Sequence, residues 1–103
     1  MSYRTIIDQL NRRRSVKHFD TTKKVSDSDM EIILESARLT PSSFGLQPWK
    51  IKVVSDQAIK DQLLPHAFDQ PQITSCSHLL VLCGLHDISD QFIESFVQQS
   101  LDA

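Results

Sequence analysis

Apolar residues recur at helical spacing in four stretches of the chain and form strand-like runs in two others. In the first stretch, residues 5–13, Ile6, Ile7 and Leu10 share one helical face, and arginines follow at its end. Cations are favoured there because the helix dipole leaves partial negative charge at the C-terminus. A short helix is therefore predicted over residues 5–13.

A second helix is predicted from Ser26 to about Leu39. Ser26 with Asp29 resembles a capping box, in which the serine hydroxyl accepts from a free N–H of the first turn. Pro41 disfavours helical backbone for the residue before it, so the helix should end near Leu39. Apolar residues follow the cap at helical spacing: Met30, Ile33, Leu34 and Ala37.

Two segments predict strands. In residues 49–54, WKIKVV, apolar side chains alternate with the charged side chains of Lys50 and Lys52. Residues 78–83, HLLVLC, are apolar on both faces, which is typical of a central strand in a covered sheet.

The remaining stretches predict two more helices and a connection. Residues 56–64 predict a short helix capped by Ser55 and ending at Pro65. The polar residues 66–77 predict a weakly ordered connection, and residues 89–103 predict a final amphipathic helix. On that helix the apolar stripe comprises Phe92, Ile93, Phe96, Val97 and Leu101.

The chain of 103 residues suits one domain, yet two strands make a poor sheet by themselves. Further strands must come from elsewhere, or the chain is part of a larger fold. Its formal net charge of −2 argues against a general nucleic-acid binder. A binding module for RNA or another anion, using the arginines of residues 12–14, remains a weaker possibility because no aromatic residues are interleaved with them.

Other function classes lack their signals. The N-terminus has no signal-peptide pattern, and no apolar run reaches membrane-spanning length, so a cytoplasmic protein is expected. Cys76 and Cys83 predict reduced core residues rather than a disulfide framework. The four histidines are scattered, so no metal site is predicted.

Three cations and a hydroxyl fall within residues 13–17. On an extended segment Arg13, Ser15 and Lys17 point to one side, and such a row suits a phosphate together with a second polar group. The alternative is a solvated row of charges that complements the end of the first helix.

The most irregular segment, TPSSFGLQPW at residues 40–49, directly precedes the first strand. Its hydroxyls, its main-chain amides around Gly45 and its prolines suit a rigid polar loop that lies against a flat ligand. The alternative is a plain helix-to-strand connection.

Four motifs, in this order and spacing, resemble the FMN-dependent nitroreductase family. The first is an arginine, a variable residue, a serine and a basic residue two positions on, and the second is P-S-S followed by Q-P-W. The segments that carry the resemblance are LNRRRSVKHFD, LTPSSFGLQPWKIKVV, AFDQPQI and SHLLVLCG.

The resemblance implies an α+β fold, with helices packed around a mixed β-sheet. It also implies an FMN-dependent oxidoreductase that takes hydride from NADH or NADPH and reduces a nitroaromatic or quinone acceptor in a ping-pong cycle. No catalytic side chain is implied, because the cofactor carries the chemistry. Family members are homodimers with FMN at the interface.

By position, the resemblance assigns cofactor-binding roles in three segments. Arg13, Arg14 and Ser15 would hold the phosphate and ribityl chain, and Lys17 would lie near the pyrimidine edge of the flavin. The loop residues would contact FMN bound mainly by the partner subunit, Asp69 and Gln72 would lie near the pyrimidine ring, and Phe68 would face the substrate. The loop residues so assigned are Pro41, Ser42, Ser43 and Gly45.

Four departures from the family pattern stand out. Asp69 replaces an asparagine, Gln72 replaces a lysine found in some members, and Gly45 replaces a polar side chain. Family chains are about twice as long, so residues 1–103 are predicted to form the N-terminal part of a nitroreductase-like domain. The competing interpretation is a non-catalytic truncated relative that keeps dimerisation, with or without weak FMN binding.

Overall fold

The computed structural model describes residues 2–102 and has an α+β architecture. Met1 and Ala103, the ends of the predicted domain, lie outside the described residues, as does the last residue of the predicted final helix. Among the described residues no helix is both long enough and apolar enough to cross a membrane. In chain order the elements are α1 (Tyr3–Arg12), α2 (Asp27–Arg38), a 3-10 turn (Ser43–Gly45), β1 (Trp49–Val54), α3 (Gln57–Leu63), a 3-10 turn (Leu64–Ala67), α4 (Gln72–Ser75), β2 (Leu79–Gly84) and α5 (Asp90–Asp102).

The helix starts follow from local capping. Ser26 accepts a hydrogen bond from the N–H of Asp29 at 3.1 Å, as the sequence predicts. Ser2 caps α1 in the same way by accepting from Thr5. The cap of α3 is Asp56 rather than the predicted Ser55, because Asp56 is extended and its carboxylate accepts from Ile59 at 3.1 Å.

Two differences from the predicted elements lie next to the candidate site residues. The helix α1 ends at Arg12, and Arg13 is already extended with φ −63° and ψ 130°. The connection predicted to be weakly ordered contains the 3-10 turn Leu64–Ala67 and the helix α4. Pro65 lies inside that turn near its start, where its missing N–H needs no partner.

The sheet has two antiparallel strands, with Trp49 opposite Gly84 and Val54 opposite Leu79. The strand β2 is therefore not a central strand among the residues described, and its Leu82 is 73% exposed. The confirmed class is α+β, and a mixed sheet would need strands beyond these two.

The helix α2 lies near the sheet. Met30 and Ile33 share a cavity of about 360 Å³ with Leu80, and Ala37 shares another with Trp49. Met30, 8% exposed, is nevertheless the one buried apolar side chain among residues 2–102. The Cα radius of gyration is 17.4 Å, against about 13 Å for a compact domain of this length.

Candidate functional site

The cationic segment 13–17 leaves α1 as exposed, irregular chain. The N–H of Arg13 donates to the carbonyl of Gln9 at 3.0 Å and so closes the helix, while its side chain stays exposed. The ion pairs found within residues 2–102 are Arg38 with Glu35 and His86 with Asp87. The basic groups of Arg13, Arg14 and Lys17 thus have no carboxylate partner within the described chain.

The loop before β1 is tied down by its own polar groups. The hydroxyl of Ser42 accepts from the N–H of Gln47 at 2.8 Å, and Ser42's carbonyl accepts from Gly45 at 2.9 Å. The side-chain amide of Gln47 donates to the carbonyl of Arg38 at 2.7 Å, where the last turn of α2 leaves acceptors unpaired. The loop is therefore fixed to the C-terminal end of α2, while Pro41 and Ser43 remain exposed.

Positive φ angles are concentrated in the two irregular segments assigned to the cofactor. In the loop, Phe44 has φ 54° and Gly45 has φ +67°. In the turn before α4, Phe68 has φ 56° and Asp69 has φ 51°. Such backbone costs non-glycine residues roughly 1–3 kcal/mol each and occurs preferentially at functional sites.

Phe44 is a candidate residue that the sequence did not reveal. It is 92% exposed, and Phe68 is 90% exposed, so each irregular segment presents one phenylalanine to solvent. A phenylalanine between serine and glycine in an irregular segment was the available signal, but hydropathy alone places such a ring in a core.

In the third segment, the turn before α4 and the start of α4, Gln72 and Asp69 differ in exposure. Gln72 is half-buried at the first position of α4, while Asp69 is exposed and its N–H donates to Leu64 at 3.1 Å. Within residues 2–102, no hydrogen bond joins segment 13–17, the loop and the turn before α4 to one another. The predicted residues therefore form three groups that hydrogen bonds do not connect within the described chain.

Two carboxylates near the loop and the cationic segment have lowered pKa values. The hydroxyl of Thr22 donates to Asp20 at 2.6 Å, which, with the N–H of Thr22, lowers the pKa of Asp20. Arg38 donates twice to Glu35, which lowers the pKa of Glu35 and raises that of Arg38. Within residues 2–102 no group of three or more His, Cys, Asp or Glu side chains could hold a metal ion.

Comparison with known families decides the chain's affiliation. The protein-family model described as "Nitroreductase family" matches residues 10–94, which contain the cationic segment 13–17, the loop before β1 and the turn before α4. The chain belongs to the nitroreductase family.

Relatives of this nitroreductase-family chain agree with that result. A Staphylococcus aureus (strain USA300) protein named "Putative NAD(P)H nitroreductase" is 41% identical over 98 residues, which are 94% of this chain and 43% of that protein. The chain thus spans less than half the length of that relative.

Solved structures show the same fold. A Staphylococcus epidermidis structure titled as a putative NAD(P)H:FMN oxidoreductase is 34% identical, with a TM-score of 0.75 over 94% of this chain and 44% of that one. An Exiguobacterium sibiricum structure titled as a putative nitroreductase in complex with FMN is 32% identical, with a TM-score of 0.67 over 93% of this chain and 50% of that one. The nitroreductase-like fold expected from the sequence is therefore confirmed.

Proposed function

We propose that this chain supplies the phosphate-binding half of an FMN-dependent NAD(P)H oxidoreductase. The observation that carries the proposal is the cationic segment 13–17, which is exposed and unpaired within residues 2–102 and begins where α1 ends. A row of charges that served only to complement the helix dipole would lie within the last turn, where Arg12 already stands.

The donors of that segment fit FMN on chemical grounds. Guanidinium groups bind phosphate through paired hydrogen bonds, so Arg13 and Arg14 would hold the phosphate. The hydroxyl of Ser15 suits the ribityl chain, and Lys17 suits the pyrimidine edge as a fixed positive charge. When bound, FMN would supply electron transfer from NADH or NADPH to a nitroaromatic or quinone acceptor.

The loop and the turn before α4 would complete the site from other directions. Pro41, Ser42, Ser43 and Gly45 would contact the FMN held mainly by a second copy of the chain. Because Ser42 accepts from Gln47, its hydroxyl hydrogen remains available to donate to a ligand.

The turn before α4 would line the ring end of the site. Gln72 would donate an amide hydrogen to the pyrimidine ring, and the exposed Phe68 would face the acceptor. Asp69 lies on the same turn and would have to point away from the ring, since its charge opposes the added negative charge of reduced flavin.

A non-catalytic relative is the second candidate, and the sparse core favours it. Met30 is the single buried apolar side chain among residues 2–102, and the matched solved structures are about twice as long. Such a protein would keep the dimer surface, with or without weak affinity for FMN.

Absorption and titration separate the two candidates. The purified chain is scanned for the visible bands of oxidised flavin, and then titrated with FMN while flavin fluorescence is followed. Oxidation of NADH or NADPH with a quinone acceptor is measured on the FMN-saturated sample. Binding with turnover supports the oxidoreductase. A dimer that binds FMN without turnover, or that ignores added FMN, supports the non-catalytic relative. A monomer that ignores FMN contradicts both.

A further inference from the structure

The helix α3 turns a lysine inward and an isoleucine outward. Lys60 is 0% exposed, whereas the adjacent Ile59 is 47% exposed. Burying a lysine removes the water around its amino group, which is unfavourable unless the protein replaces the lost hydrogen bonds. The buried amino group of Lys60 therefore needs a specific hydrogen-bond acceptor.

The partner of Lys60 lies just beyond α4. Its Nζ donates to the carbonyl of Cys76 at 2.6 Å. One helical turn earlier, the side-chain amide of Gln57 donates to the carbonyl of Thr74 at 3.0 Å and to Asp61 at 2.9 Å. Two neighbouring side chains on one face of α3 thus satisfy two carbonyls at the C-terminal end of α4.

The helix α4 needs this support because it has only 4 residues. A helix of this length is not stable by itself in water, and its last carbonyls have no partners within the helix. Its beginning is held by the turn before it, where Asp69 donates to Leu64 at 3.1 Å and Gln70 donates to Ala67 at 3.2 Å. Residues 64–76 thus follow α3 directly in the chain, are closed by main-chain hydrogen bonds at their beginning, and are tied back to α3 by side-chain hydrogen bonds at their end.

We infer that Lys60 and Gln57 are positioning residues, which hold α4 and the Phe68–Asp69 turn in the orientation that the candidate flavin site requires. The hydrogen bond of Lys60 goes to the Cys76 carbonyl, which is not a candidate ligand-binding group, so Lys60 acts through that carbonyl. The connection to flavin rests on the function proposed above, while the structural part of the inference does not.

Hydrogen exchange tests the structural part without flavin. Lys60→Met keeps the length of the side chain and removes its donor, and Lys50→Met on β1 is an exposed-lysine control. Five main-chain N–H groups report the anchored segment: Asp69, Gln70, Ile73, Ser75 and Cys76. In Lys60→Met they should exchange roughly 10- to 100-fold faster, because the half-buried Cys76 carbonyl loses its charged donor. Lys50→Met should leave them unchanged.

A second pair of variants covers the case in which Lys60→Met does not fold. Gln57 and Gln62 are both exposed on α3, so Gln57→Met and Gln62→Met should fold equally well. Only Gln57→Met should accelerate exchange at Ser75 and Cys76, by about threefold to tenfold for one exposed hydrogen bond. Equal exchange in both variants, or faster exchange over β1 and β2 to the same extent, would overturn the positioning role.

The flavin part has its own measurement. With FMN bound, Lys60→Met should change the visible absorption spectrum of the flavin and raise its dissociation constant about tenfold, whereas Lys50→Met should change neither. Local acceleration of exchange with an unchanged flavin spectrum would remove the link to the cofactor. A chain that binds no FMN in any variant would contradict the proposed function, and exchange would still decide whether Lys60 holds α4.

Discussion

Arg12 and Arg13 are adjacent in sequence and differ in structural setting. Arg12 is the last residue of α1, whereas Arg13 is extended and begins the cationic segment. We predict that Arg13→Ala weakens FMN binding roughly tenfold to a hundredfold, because charge-assisted hydrogen bonds to phosphate contribute about 1.5–3 kcal/mol. Flavin fluorescence titration measures the dissociation constant.

Arg12→Ala is the matched control for that measurement. It removes the same charge from the same neighbourhood, so long-range attraction to a phosphate falls equally in both variants. Its effect should stay below about threefold, as expected for a solvated charge. Equal losses in the two variants would exclude Arg13 from the phosphate site.

Asp20 allows a prediction about pH. Its pKa is lowered by donation from the hydroxyl and N–H of Thr22, so the folded state favours the ionised carboxylate. The stability that this provides is present above the pKa of the unfolded state and is lost as pH falls through the folded pKa. Because Asp20 is exposed, solvent screening keeps the effect small.

We predict that Thr22→Val raises the pKa of Asp20 part of the way toward its ordinary value. The hydroxyl donor is lost, while the N–H of Thr22 still donates at 3.0 Å. An NMR titration of the Asp20 carboxyl carbon measures the change, with Thr21→Val as the neighbouring control. A pKa that does not move would show that the hydroxyl contributes nothing to the ionised form.

Sequence reasoning at the level of single residues succeeded for backbone signals and failed for buried polar groups. Ser26 was identified as a cap because serine hydroxyls satisfy free N–H groups locally. Lys60 was not identified, because its partner Cys76 is 16 residues away and hydropathy favours Ile59 as the inner residue. Phe44 was missed for a different reason: hydropathy places such a ring in a core, and its exposure goes with a left-handed backbone that hydropathy does not reveal.

At the scale of elements, the start of α3 has two adjacent candidate N-caps, Ser55 and Asp56. The structure assigns the role to Asp56, although the sequence favoured Ser55. We predict that Asp56→Ala lowers the free energy of unfolding by about 1 kcal/mol, because the N–H of Ile59 loses its acceptor. Ser55→Ala should change that free energy by less than about 0.5 kcal/mol. Thermal or urea unfolding checks both values, and the reverse order would restore Ser55 as the cap.

Elements formed by interactions between residues close in sequence could be predicted, whereas elements that depend on distant residues could not. The extent of β1 and most of the extent of α2 were predicted correctly, because alternation, a serine cap and Pro41 are local signals. The helix α4 was missed because its last carbonyls depend on Gln57 and Lys60 from another element. The position of β2 in a sheet also depends on strands that local pattern cannot supply.

For the whole molecule, large apolar side chains exposed on two helices indicate a missing contact surface. On α1, Tyr3 is 79% and Leu10 is 61% exposed, and on α5, Leu101 is 74% exposed. The α5 stripe predicted from sequence is divided in the structure, because Phe92 and Phe96 are half-buried and Phe96 lies near Gly45. The surface that remains open on α5 is the row Ile93, Val97 and Leu101.

We predict that two copies of the chain associate through this row of α5 at micromolar concentration. Apolar surface on two helices that stays exposed in a monomer favours association, since burial removes it from water. Val97→Glu places a charge in the middle of the row, where burial without a partner is unfavourable. The dissociation constant of the dimer, measured by sedimentation equilibrium, should rise at least about tenfold.

Gln99→Glu is the control for charge alone, because residue 99 lies about 200° around the helix from Val97. It adds the same negative charge to the same helix and should leave the dissociation constant within about threefold of the unmodified chain.

The row also bears on flavin binding, since a site shared between two copies must lose affinity when they separate. Val97→Glu should therefore weaken FMN binding at low protein concentration and recover it at high concentration, by mass action. A folded monomer in the unmodified chain, or FMN affinity independent of protein concentration, would show that one copy holds whatever site exists.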